Sequence, residues 1–337
     1  MWEIRIGDKK IGDGEPCFVI AEAGINHNGD IEIAKKLIEK AAEVGADAIK
    51  FQSYHTESFV SKNSKHYQLF KNLELSEEDF KELNKFANKE GIIFISTPLD
   101  LEYVDILDEI GVPAFKIASG DLTFVPLLEK IARAGKPIIL STGMATIGEI
   151  DEAINIIKKE GNEDIILLHC ISSYPAPFEE VNLKAIITLR NTFNLYVGYS
   201  DHTLGIEVPI AAIALGAKVI EKHFTLNKNM EGPDHKLSAN PEEFKRMVRG
   251  IRIIEKALGN GDKRPMECEK DARISGRRSI VAKMPIKKGD KIMRENILYK
   301  RPAIGIEPKF LGIVLNKKVK RDIDGDDIID WEDLLGA

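Results

Sequence analysis

Two histidines define the chemistry open to this chain. His202 ends the run Val197-Gly198-Tyr199-Ser200-Asp201-His202, and His223 lies in Val219-Ile220-Glu221-Lys222-His223-Phe224. Each run reads as a short apolar strand that turns polar in its second half. If the two strands lie parallel and adjacent, both imidazoles emerge at one end and can converge on one metal ion. Two imidazoles suit a borderline divalent ion such as Mn2+, with water or substrate oxygens in the remaining positions. Open positions fit a Lewis acid better than a closed structural site. Either histidine alone would pass as an ordinary polar residue, and only the matched positions make the pair.

A strand-then-helix unit recurs along the chain and must place that pair. Residues 18–24 stay apolar until Glu22; Asp30 then caps a helix with Ala34, Leu37, Ile38 and Ala41 on one face, stopped at Gly45. Strands follow at 48–52, 92–96, 114–117, 137–140 and 165–168, and then in the two histidine runs, each backed by a helical pattern. Ser76 caps one helix, Thr146 and Glu149 form a capping box, and the helix after Asn240-Pro241 aligns Phe244, Met247, Ile251 and Ile254. Near-continuous apolar strands predict a parallel sheet covered by helices. Eight such units over about 250 residues predict a (β/α)8 barrel. A doubly wound open sheet is the alternative, but no G-x-G-x-x-G follows the first strand, which lowers a dinucleotide-binding reading.

Residues 1–15 read as a β-hairpin, Trp2-Glu3-Ile4-Arg5-Ile6 turning at Gly7-Asp8, that plugs one end of the barrel. The barrel domain is expected over residues 1–258, a linker over 259–276, and a small β-rich domain over 277–337.

Barrel sites form at the C-terminal ends of the strands. The strand ends offer Glu22; Lys50 and Gln52; Ser96 and Thr97; Lys116 and Ser119; Ser141 and Thr142; His169; Ser200, Asp201 and His202; and Glu221 and His223. Ser172, Ser173 and Tyr174 follow the sixth strand, and Asp234 lies beyond the eighth. One polar strand end is merely solvated, whereas a full ring of them argues for a site. Lys50, Lys116, Ser119, Ser141 and Ser200 make a cationic, hydroxyl-rich lining suited to a ligand with phosphate and carboxylate groups. Glu22, Glu221 and Asp234 can accept sugar hydroxyls or move protons. Lys116 could instead be the Schiff-base lysine of an aldolase; the histidine pair argues against that. A non-catalytic carbohydrate-binding protein is a further rival, and the complete set of strand-end residues speaks against it.

Some features read as structural. His27 suits a loop hydrogen bond as well as a site contact; His169 and Cys170 read as packing residues. Asp322, Asp324, Asp326, Asp330 and Asp333 imitate calcium-loop spacing, but the glycine and final glutamate of such a loop are missing.

The chain has 337 residues, 43% hydrophobic and 30% charged, with net charge −6, the profile of a globular protein with no nucleic-acid-binding surface implied. It shows neither a signal-peptide core nor a run of about 18 apolar residues, so no membrane association is expected and the location reads as cytoplasmic. Cys17, Cys170 and Cys268 include no C-x-x-C pair and imply neither a disulfide framework nor a structural zinc.

At these residues the sequence resembles the sialic acid synthase family, which condenses phosphoenolpyruvate with an N-acetylated mannosamine. The segments that carry the resemblance are Glu22-Ala23-Gly24-Ile25-Asn26-His27-Asn28-Gly29, Lys50-Phe51-Gln52, Phe115-Lys116-Ile117-Ala118-Ser119-Gly120, Leu140-Ser141-Thr142-Gly143-Met144, Tyr199-Ser200-Asp201-His202-Thr203, Glu221-Lys222-His223-Phe224-Thr225 and Gly232-Pro233-Asp234-His235-Lys236. The tail from Arg277 is similar to the family's antifreeze-like (SAF) domain and includes Lys300-Arg301-Pro302.

The resemblance implies a TIM barrel joined to that domain in a domain-swapped homodimer. It implies that His202 and His223 bind the metal, Mn2+ with Mg2+ or Co2+ as substitutes. Lys50, Thr97, Lys116, Ser119, Ser141 and Ser200 would hold phosphoenolpyruvate. Glu22, Gln52, Asp121, Tyr174, Glu221 and Asp234 would face the sugar, and Arg301 would reach its N-acetyl group from the other subunit. Lys50 and Lys116 would offset the anionic charge, and Glu22 or Glu221 would handle a proton. Ser172 stands where some members carry asparagine and Asp121 where some carry glutamate, so both bear on the choice of sugar. The implied activity is N-acetylneuraminate synthesis from N-acetylmannosamine with release of phosphate. The alternative is a legionaminic acid synthase acting on 2,4-diacetamido-2,4,6-trideoxymannose. The Gly232 segment looks more like the sialic and legionaminic branches than the pseudaminic one.

Overall fold

A computed structural model describes residues 3–336 of the chain. The expected hairpin is present: β1 (Ile4–Ile6) pairs antiparallel with β2 (Lys9–Ile11), Ile4 opposite Ile11. Trp2, expected at its start, lies outside the described residues. Eight parallel strands follow: β3 (Phe18–Gly24), β4 (Ala48–Ser53), β5 (Ile93–Pro98), β6 (Phe115–Ile117), β7 (Ile138–Ser141), β8 (Ile165–Cys170), β9 (Tyr196–Asp201) and β10 (Val219–His223). They close into a barrel in chain order, with β10 paired to β3. The expected (β/α)8 architecture is therefore the observed one.

The helices begin where side chains can satisfy the free backbone N–H groups of a first turn. Asp30 accepts from the N–H groups of Glu32 and Ile33. Capping boxes at Ser76–Asp79, Thr146–Glu149 and Asn240–Glu243 start three more helices. The last, Pro241–Leu258, returns to the start of the barrel: Arg252 donates to Cys17 O (2.8 Å) and to Asp47 Oδ2 (3.1 Å). Asp47 Oδ2 also accepts from Val19 N, so this helix is tied to the first barrel strand.

Strand alternation sorts the side chains into two cores. Outward-facing Val19, Ile49, Phe51, Leu140, Leu167 and Val197 pack beneath helix residues such as Leu37, Leu107, Ile131 and Phe244. Inward-facing Phe18, Ile20, Ala48, Ile95, Ala114, Ile139, Ile166 and Val219 fill the barrel together with Ile4, Ile6 and Ile11 of the hairpin. The hairpin is thus the plug that its alternating residues predict, and it seals the end where the strands begin.

The chain divides into two compact units, Met1–Gly259 and Asn260–Ala337. In the second, β11 (Ser279–Ala282) pairs antiparallel with β12 (Ile297–Lys300) over a core of Ile280, Ile286, Ile292, Ile306, Val319 and Ile329. The stretch expected as a linker carries a short helix, Lys270–Gly276, held by Ala303 N donating to Ile274 O. The aspartates with calcium-like spacing are used otherwise. Asp322 pairs with Lys287, Asp326 with Lys300, and Asp333 with Arg321. Among the described residues no helix is long and apolar enough to cross a membrane.

Ile6 is fully buried in the barrel plug. Ile6→Ala is expected to cost about 2–5 kcal/mol, read as a lower urea midpoint. A loss under about 0.5 kcal/mol would show that the plug is dispensable.

Candidate active site

Along each strand the inward-facing residues change from apolar to polar towards the C-terminal end. Ile20 gives way to Glu22, Ala48 to Lys50 and Gln52, Ile95 to Thr97, Ala114 to Lys116 and Ile139 to Ser141. On β9, Gly198 is followed by Ser200 and then His202 just past the strand; on β10, Val219 is followed by Glu221 and His223. The register places these groups side by side: Glu221 is level with Ser200, His223 with Glu22, and Glu22 with Lys50. Together with Ser119, Ser172 and Tyr174 they line one cavity of about 400 Å3. Asp121 and Asp234 stand beside it and do not line it. Arg301 belongs to the second unit, directly after β12.

Lys50 lies between two buried carboxylates, 2.9 Å from Glu22 Oε2 and 3.3 Å from Glu221 Oε2, and donates to Thr97 Oγ1 (3.2 Å). Burial alone would strip its proton, but the two glutamates hold its pKa above the ordinary value. The glutamates differ. Burial, only partly offset by Lys50, raises Glu22 to about 7. Glu221 is equally desolvated, yet Lys116, Lys50 and the hydroxyl of Ser200 (2.8 Å) hold it below its ordinary value.

Among the described residues Lys116 hydrogen-bonds only neutral groups: it donates to Ser141 Oγ (2.6 Å) and Ile117 O (2.9 Å). It is 2% exposed, and burial lowers its pKa to about 8. Nearby, Gly143 N donates to Ser119 Oγ (3.0 Å). A Cβ on Gly143 would lie 2.3 Å from Ser172 Oγ and 2.8 Å from both Ser119 Oγ and Cys170 Sγ, so only glycine fits.

The imidazoles of His202 and His223 lie 5.4 Å apart between ring centroids, with Tyr174 4.1 Å from His202. Burial pushes both pKa values down, His223 furthest, so both rings are neutral at neutral pH, the form that binds metals. His202 Nδ1 is 2.7 Å from Ile171 O, so it carries the proton and leaves the lone pair on Nε2. His223 Nδ1 is buried without a hydrogen-bond partner among the described residues, 3.7 Å from Asp234 Oδ2. Two neutral rings, one already oriented by a carbonyl, fit a divalent ion. Among the described residues no three His, Cys, Asp or Glu side chains are grouped to hold one, so water or substrate oxygens would complete the coordination.

Alternation also removes residues from the site. Asp201 and Lys222 face outward and form a buried ion pair between β9 and β10. Asp201 accepts further bonds from Tyr199 Oη and Thr203, and Lys222 donates to Thr203 O. His169 also faces outward, bonded to Val181 O (2.7 Å), whereas Cys170 turns inward and lines the cavity. Ser96 is outward too, bonded to Phe51 O. His27 accepts from Gly29 N, which makes it a loop residue. The loops of Asn26 and Asp234 are stitched together: Asn26 donates to Phe224 O and Ser238 Oγ, while His235 bonds Thr225 and Asn28.

Sequence reasoning missed the apolar lining, namely Phe59, Phe70, Leu99 and Met144. Phe59 and Phe70 come from the insertion after β4, which reads as merely polar. Counting by twos along the strand from Leu168 would have found Cys170.

A closed parallel barrel with lysines, carboxylates and a histidine pair at its C-terminal mouth has the architecture of a barrel enzyme. Residues 37–263 match the NeuB family and residues 277–335 the SAF domain. The chain is 65% identical over 336 residues to an uncharacterized protein of Methanocaldococcus jannaschii, covering 100% of both. It is 50% identical to the N,N'-diacetyllegionaminic acid synthase of Campylobacter jejuni, over 90% of this chain and 97% of that one. The crystal structure of N-acetylneuraminic acid (sialic acid) synthetase from Leptospira borgpetersenii, in complex with citrate, aligns with a TM-score of 0.77 at 42% identity, covering 80% of this chain and 95% of that one. The chain belongs to the NeuB family, the sialic acid synthases that its motifs resemble.

Asp201→Asn would leave Lys222 buried without its counter-charge. A loss of about 3–5 kcal/mol is expected, measured by urea denaturation. A loss below about 1 kcal/mol would show that the pair does not hold the register of β9 and β10.

Proposed function

We propose that this chain condenses phosphoenolpyruvate with an N-acetylated mannosamine-type sugar and releases phosphate. The observation that carries the reading is Lys116, a buried ammonium group that lines the cavity and has, among the described residues, no carboxylate at bonding distance. A ligand phosphate or carboxylate supplies the directly bonded counter-charge that Lys116 lacks. Lys116 with Ser141 faces the anionic groups, Lys50 adds its charge from between the glutamates, and Ser119 and Ser172 offer hydroxyls. Glu22 and Glu221 keep Lys50 between them and can move a proton. Gln52 and Tyr174 face the sugar, Asp121 and Asp234 stand at the edge of its cavity, and Arg301 from the second copy of a domain-swapped homodimer reaches its N-acetyl group. The expected cytoplasmic location suits this substrate.

The bookkeeping of the reaction is simple. The alkene carbon of phosphoenolpyruvate bonds to the aldehyde carbon of the open-chain sugar. Water adds to the neighbouring carbon, whose bond to the phosphate oxygen then breaks, leaving a ketone. The protons of that water end on the new hydroxyl and on the phosphate. His202 and His223 would hold a divalent ion, Mn2+ by their chemistry, which supplies Lewis acidity to the aldehyde oxygen.

Of the two sugars expected, 2,4-diacetamido-2,4,6-trideoxymannose is favoured by the 50% identity to the Campylobacter legionaminic acid synthase. N-acetylmannosamine is the second reading, supported by the likeness to the Leptospira sialic acid synthetase.

Phosphate release from phosphoenolpyruvate with each sugar is the direct test. Release should need the sugar, stop with a chelator, return with Mn2+, and fall at least about 100-fold in His223→Ala. A borohydride-trapped adduct on Lys116, with no effect of chelator, would instead establish an aldolase.

The pH dependence tests Lys116 separately. Its ammonium form prevails below about 8 and is lost above it. Affinity for phosphoenolpyruvate, measured by calorimetry, should weaken by up to about tenfold per pH unit above that pH. A flat profile to pH 10 would remove Lys116 from the anion site.

A further inference from the structure

We infer that Phe59 and Phe70 are specificity-determining residues: the apolar face they turn into the cavity receives the methyl group that ends a 6-deoxy sugar. The inference rests on the synthase reading above and assigns a part of the sugar to a part of the wall.

The insertion between β4 and the helix Glu77–Lys89 folds around three aromatic rings. Tyr54 packs 5.5 Å from both Phe59 and Phe70, and those two rings meet edge to face at 5.1 Å. Tyr54 Oη donates to Phe70 O (3.2 Å). Glu74 accepts from the hydroxyl of Thr56 (2.6 Å), and Asp100 accepts from His55 N (2.6 Å), which ties the insertion to the loop after β5. The rings are therefore held in place, and a held apolar wall can discriminate where a loose one would adapt.

Phe59 and Phe70 are half-buried, and they are the only side chains of the insertion, among the described residues, that line the cavity. Leu99, after β5, extends the same wall. The strand ends below it are polar. β4 and β5 stand across the barrel from β8 and β9, which lead to Tyr174 and His202. The reacting aldehyde carbon must meet the anionic partner on the polar floor, so the far end of the sugar chain points to the mouth, where this wall stands. A hydroxymethyl group set against it gives up a hydrogen bond to water and finds none in return. A methyl group loses nothing and buries apolar surface.

The test compares N-acetylmannosamine with its 6-deoxy analogue, which differ only at C6. The readout is the ratio of kcat/KM for the two sugars within one enzyme, which does not depend on the fraction folded. The wild type should favour the 6-deoxy sugar by about 10–100-fold, the range open to an apolar pocket. Phe59→Ser and Phe70→Ser should bring the ratio to within about threefold of unity, and Phe59→Leu should keep it. Should the serine variants not fold, Phe59→Tyr and Phe70→Tyr place a hydroxyl on the same wall and must lower the ratio. Equal use of both sugars by the wild type overturns the inference, as does a preference that survives every polar variant. No phosphate release with these two sugars or with 2,4-diacetamido-2,4,6-trideoxymannose is a different failure: it removes the synthase reading, and the inference falls with it; release with the last sugar alone moves the same comparison to it and its 6-hydroxy analogue.

Discussion

Two carboxylates and one ammonium group meet in the barrel interior. Glu22 and Glu221 would repel each other at that depth, and neither could remain ionised without a counter-charge. Lys50 stands within 3.3 Å of both. That triad sets the balance of the whole mouth. Lys50 bonds both glutamates, whereas Lys116 has no bonded carboxylate among the described residues, and there the cavity can accept an anion. Gly24, with φ +52, lets the groups crowd: a Cβ there would lie 3.3 Å from Glu22 Oε1 and 3.7 Å from His223 Cε1.

The triad requires a fixed register, and several distant features supply it. The hairpin isoleucines fill the floor of the barrel, so the inward apolar layer is complete and the polar layer begins above it. Arg252 ties the last helix to the first strand across Cys17 and Asp47. Asp201 and Lys222, behind the wall, bind β9 to β10 from outside. A slip of one residue in either strand would turn the histidines outward and bring that ion pair into the barrel. The histidine pair and the outward pair thus depend on the same register, which explains why polar residues alternate through both runs without interruption.

The legible part of this molecule was its periodicity. The strand and helix alternation, the caps at Asp30, Ser76 and Thr146, and the hairpin are local properties, and local sequence carries them. The candidate residues of the strand ends were legible as a ring, because an apolar run that ends in polar groups is visible without coordinates. The ring is wider in the sequence than in the barrel: Ser96 and Asp201 stand at strand ends but face away, and of the two residues that read as packing, His169 is one and Cys170 lines the cavity. Which of two neighbouring polar residues points inward depends on the pleat and on where each strand enters the barrel, and neither is a local property.

The sequence by itself determined the barrel, its order, and the family to which its motifs point, since these follow from short-range pattern. It also determined the inventory of charges at the mouth. Only the tertiary structure decided how those charges pair: that Lys50 bonds both glutamates, that Lys116 bonds neither and acts on Glu221 only through space, and that Cys170 rather than His169 faces the cavity. It alone turned the insertion after β4 from a polar loop into an aromatic wall, because Phe59 and Phe70 meet only when the segment folds back on Tyr54. Pairing and enclosure arise from closing the sheet, which brings together strands that are far apart in the chain.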